Sequence, residues 1–92
     1  MTAENKLYIL KKDLQLTTTA NDLYLETLLA FSVAAIEREG IILLDDNIEC
    51  DMAVIHYAAY LFRKRAGTET AMPRFLRYEL NNLLFSQKGA VE

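Results

Sequence analysis

Several residue types are scarce in this 92-residue chain: it has one cysteine, one proline, one histidine, three glycines and no tryptophan. With Cys50 alone, no intrachain disulfide can staple the fold, and a single thiol on a helical pattern reads as a small buried hydrophobe. Few glycines and a single proline leave few interruptions, and those present fall where helical patterns stop. No apolar run approaches the roughly 20 residues needed to cross a bilayer, because charges break every segment. The opening MTAENKLYILKKD lacks the charged-then-apolar order of a secretory leader, so an intracellular chain with no membrane partner is expected. A net charge of −3 argues against tight, charge-driven binding of nucleic acid by the molecule as a whole.

What the chain does have is apolar surface. Hydrophobic residues make up 52% of it, which is high for a domain that can bury only a modest core. Surplus apolar surface on a small domain is commonly covered by a partner or by another copy. One domain over residues 1–92 is expected, with 86–92 as a disordered tail.

Apolar residues recur every three or four positions, which predicts an all-α fold of four helices, the central two being longer. The first covers Ala3 to Leu14, with Leu7, Leu10 and Leu14 on one stripe. Thr17 to Thr19 form a capping neighbourhood for a second helix from Asn21 to Glu39, stopped by Gly40. Its inner face carries Leu25, Leu28, Leu29, Ser32 and Ile36. Ile41 to Leu44 is apolar and four residues long; it could be a short strand, but with no second strand signal it reads as an extended link. A third helix opens in DDNIECD and runs to about Arg65, carrying Ile48, Met52, Ile55, Ala59 and Phe62, and Gly67 ends it. Pro73 suits the first turn of a fourth helix, carrying Leu76, Leu80, Leu83 and Leu84 and fraying after Phe85. The expected core comprises Leu25, Leu28, Leu29, Ile36, Met52, Ile55, Ala59, Phe62, Leu76, Leu80 and Leu83.

Chemistry-bearing patterns fail one by one. In DDNIECD the acids alternate like the start of a calcium loop, but Cys50 stands where the turn glycine belongs and His56 where the bidentate glutamate belongs. Helix capping explains those acids better. His56 and Cys50 sit about 240° apart on a helix, so they cannot act as a nucleophile–base pair or as joint metal ligands. No phosphate-binding glycine loop, G-x-S-x-G or H-E-x-x-H is present, and neither an enzyme nor a cofactor is expected. A helix-turn-helix DNA reader needs a turn of three or four residues, and the links here are longer. Only Arg74 and Arg77 lie at a helix N-terminus, where recognition helices read bases. A small helical DNA-binding regulator is therefore the second reading.

The charge map is more informative. Glu37 to Asp51 holds six acids and one base, and Arg63 to Arg77 holds five bases and one acid. A helix of this length separates the clusters by roughly 20–30 Å, so most of these charges are expected not to pair within one chain. Opposite charge at opposite ends suits head-to-tail contact, which closes into a ring where the rotation allows, the alternative being two ordinary solvated helix ends. The expected contact sets Glu49 or Asp51 of one copy near Arg63, Arg65 or Arg74 of the next, with Tyr57, Tyr60 and Tyr78 as aromatic contacts.

The order LKKDLQLTTTANDLYLETLLAFSVAAIE resembles the opening of the small head–tail connector proteins of long-tailed bacteriophages and prophages. There, too, a short helix, a polar T-x-x-x-D link and a leucine-rich helix follow one another. The closing AGTETAMPRFLRYELNNLLF is the more specific part, its MP-x-x-L-x-x-x-L-N-x-L-L run being similar to the family's final helix. The likeness covers about residues 7 to 88, and is weak over Ile41 to Asp51 and Gly67 to Met72. It implies an all-helical subunit that forms a homo-oligomeric ring beneath the portal protein, extends the DNA channel and docks the next neck or tail protein. It implies non-specific contact with packaged DNA, no cofactor and no catalytic residue. The site it implies is the host bacterial cytoplasm during assembly and then the virion neck.

Overall fold

A computed structural model describes residues 1–67 and 71–91, with the side chains of 88–91 outside the description. Residues 68–70, expected as part of the link between the third and fourth helices and including the acid Glu69, and the last residue of the expected tail, Glu92, lie outside the described residues. The described chain is all-helical: α1 Ala3–Leu14, α2 Asp22–Arg38, α3 Ile48–Ala66 and α4 Arg74–Val91.

Local chemistry accounts for most of the boundaries. Thr2 caps α1 by accepting from the Asn5 amide at 3.1 Å, and Gln15 closes it in the left-handed region. Asn21 stands at the N-cap of α2 without a side-chain cap bond; the Asp22 amide donates instead to the Thr19 carbonyl. Asn47, rather than either aspartate before it, caps α3 by accepting from the Cys50 amide at 3.0 Å. Gly67 ends α3 at φ +84°, a conformation that any side chain would strain. Pro73 stands immediately before α4, and its carbonyl accepts from the amides of Leu76 and Arg77.

The third helix is the hub. It packs on α2 most extensively, then on α1 and α4. Leu25, Leu28, Leu29, Ile36, Ile55, Ala59, Leu76, Leu80 and Leu83 are buried as their periodicity requires. Ser32 joins them because its hydroxyl donates to the Leu28 carbonyl at 2.7 Å, which satisfies the polar atom inside the core. Met52 and Phe62 are only half-buried, while Cys50, Ala53, Val54, Ala58 and Tyr60 complete the buried face. Cys50 is the small buried hydrophobe expected, at 2% exposure.

Two features depart from the sequence reading. α4 does not fray after Phe85: it continues to Val91 and matches α2 and α3 in length. Gln87 is one reason, since its side chain accepts from the Ile42 amide at 2.8 Å and donates to the Ile42 carbonyl at 2.6 Å. The extended link and the end of α4 are thereby tied together. The second departure concerns charge. The chain between α3 and α4 brings the start of α4 back beside the middle of α3, where His56 meets Glu79. Arg77 therefore pairs with Glu39 at 2.6 Å, so one member of each charge cluster is neutralised within the chain.

Candidate interaction surfaces

Several of the charges expected to reach a neighbour are already engaged. Asp51 is only 7% exposed, because its place in the first turn of α3 turns it toward α1. It lies 3.6 Å from the Lys6 ammonium and 3.4 Å from the Met1 amino group. Arg63 donates to the Asp13 carboxylate at 3.0 Å and to the Asp13 carbonyl at 3.1 Å, tying α3 to the end of α1. Arg65 stacks its guanidinium over Tyr24, 4.6 Å from the ring centroid. Lys11 makes an ionic contact with Asp22 at 2.8 Å that is not aligned as a hydrogen bond.

The tyrosines divide. Tyr60 is buried and meets Tyr57 edge to face, with centroids 6.1 Å apart. Tyr57 is half-buried, and its phenol is pushed above the ordinary tyrosine range by burial first and by the nearby Glu39 carboxylate second. Tyr78 is 62% exposed. Of the eight residues singled out for an interface, Glu49, Arg74 and Tyr78 are the exposed ones that form no ion pair or ring contact among the described residues.

Tyr78 belongs to a larger feature. At about 100° per residue, Arg74, Phe75, Tyr78, Asn82 and Phe85 share one sector of α4, opposite buried Leu76, Leu80 and Leu83. Phe75, Tyr78 and Phe85 are each more than half exposed, as is Ile48 beside them. Ile48, Glu49, Met52, Phe75, Tyr78 and Leu83 line a groove of about 590 Å³ along this ridge. Under it, His56 bridges α3 to α4 through Glu79 at 3.0 Å and meets Phe75 edge to face at 5.3 Å.

No family model matches the chain, and no curated protein or solved structure is significantly similar to it.

A second groove, of about 500 Å³, runs between α1 and α2. Ala3, Leu7, Leu29, Ala30 and Val33 form its walls and Val54 of α3 its floor, with Glu4 and Glu26 at the rims. Its width comes from the small side chains of Ala3 and Ala30. Sequence reasoning missed it, since alanine reads as a helix former and Leu7 as core. The available signal was the apolar set Leu29, Ala30 and Val33 with Glu26 a turn before it, an apolar face with an acidic edge and a small residue in its middle.

Among the described residues no cluster of three or more histidine, cysteine or carboxylate side chains is arranged to hold a metal ion. No described helix is long and apolar enough to cross a membrane.

Proposed function

We propose that the chain is a structural assembly subunit, a head–tail connector of a long-tailed bacteriophage or prophage that closes into a ring beneath the portal. The observation that carries this reading is the aromatic ridge of α4. Phe75, Tyr78 and Phe85 stand out on a helix whose other face is fully occupied. Exposed apolar surface of this kind, with polar residues at its edge, marks a protein contact. The motifs of the opening helices and of α4 supply the connector assignment, and the ridge lies within the more specific of them. In this reading the subunit has no turnover. It binds its own copies, the portal and a tail-side protein, and touches packaged DNA only through phosphates.

The DNA-binding regulator loses support from the ion pairs. Of the two arginines at the start of α4, Arg77 is held by Glu39, which leaves Arg74 to read bases. Titration of labelled duplexes of unrelated sequence separates the two readings. A connector binds them weakly or not at all, with no sequence preference and with loss on added salt. Strong preference for one sequence at physiological salt overturns the connector reading.

A further inference from the structure

We propose that the α4 ridge of one copy seats in the α1/α2 groove of the next, a contact that rests on the self-assembly reading and specifies its two faces. Three observations carry it. The first is shape. Tyr78 and Phe85 are a heptad apart, about 10 Å along the axis and within about 20° of each other around it. The groove is framed on α2 by another heptad, Glu26 to Val33, with Ala30 as the hole between Leu29 and Val33. Two aligned aromatic knobs therefore match a slot of the same length.

The second observation is charge. Glu4 and Glu26 at the groove rims are exposed and form no ion pair among the described residues. Arg74 lies on the ridge within about 40° of Tyr78, exposed and likewise without an ion pair there. Glu49 and Glu79 flank the other edge of the ridge, lining the α3/α4 groove. Lys6 also lines the groove but is engaged by Asp51 at 3.6 Å, so the charges left for a neighbour there are acidic and complement Arg74.

The third is placement. Val54 floors the α1/α2 groove, whereas Met52 lines the α4 side and His56 bonds to it. Two residues along a helix turn it by about 200°, so knob and slot lie on nearly opposite sides of α3. One copy cannot fill its own groove, and two copies cannot satisfy each other by a two-fold axis. The contact is heterologous and repeats from copy to copy.

Complementation between two variants tests this. Ala30→Trp fills the groove at an exposed position, and Tyr78→Ser with Phe85→Ser removes the knobs at exposed positions. Circular dichroism and thermal melts establish that each variant folds. Each alone is expected to self-associate more than about tenfold more weakly than the wild type, because buried aromatic anchors dominate such contacts. Mixed in equal amounts, the two should sediment as a heterodimer and stop there, since the mixture offers one intact knob and one intact slot. Arg74→Glu should weaken wild-type association by about two- to fivefold, and adding Glu26→Lys should restore part of it. Should both variants assemble like the wild type, or their mixture stay monomeric, this contact is overturned while the ring reading stands. A wild type that stays monomeric up to millimolar concentration overturns both.

Discussion

Asp51 and Tyr57 show how far a residue's role depends on its turn of the helix. Asp51 is two positions from Glu49 and has the same charge, yet it faces α1 and is covered, while Glu49 faces solvent beside the ridge. Asp51→Asn removes the charge that holds Lys6 and should cost about 1–3 kcal/mol in urea unfolding. Glu49→Gln should change stability by no more than about 0.5 kcal/mol. Equal effects would show that Asp51 does not brace α1 against α3. Tyr57 gives a pH prediction. Its phenol titrates above the ordinary value of 10.0 because burial and Glu39 disfavour the phenolate. The folded state thus holds this proton more tightly than the unfolded chain does. The stability it contributes is fully present below pH 10 and is lost as pH rises through the raised value. Alkaline unfolding of Tyr57→Phe, followed by circular dichroism, should therefore lie at higher pH than that of the parent. An unchanged midpoint would mean that Tyr57 ionises without opposing the fold.

At the scale of elements, α1, α2 and α3 could be read from the chain because local signals set their ends. Thr2, Asn47, Gly40 and Gly67 stand at or next to boundaries that apolar periodicity had already placed. The end of α4 could not be read, since its leucine pattern stops at Leu84 and the support comes from Gln87 reaching a link 45 positions away. Gln87→Ala should cost about 1 kcal/mol and speed hydrogen exchange at the Ile42 amide. Unchanged exchange there would mean that the link is held by Ile41 burial alone. The exposed set Glu49, Arg74 and Tyr78 was also legible, because hydrophobic periodicity leaves those positions outside the core. Pairing of Arg77 with Glu39 was not, because spacing along α3 says nothing about where the connection to α4 returns. Nor was the α1/α2 groove, which depends on two helices meeting at small residues.

At the scale of the molecule, the charges that first suggested head-to-tail contact largely hold the subunit together. Arg63 and Arg77 fasten α1 and α2 to α3 and α4, and Asp51 fastens α1. Reversing Arg63 thus acts first on the fold, by up to about 1 kcal/mol for an ion pair this exposed, and only through it on assembly. The affinity between copies falls to the apolar ridge and groove, with Arg74 and the rim glutamates adding complementary charge. The most direct test of the central claim is sedimentation velocity of the wild type from micromolar to millimolar concentration. Closed rings predict a shift from small species to one larger species whose size stops growing as concentration rises. A single monomer boundary throughout, or a size that keeps increasing as in an open filament, would contradict it.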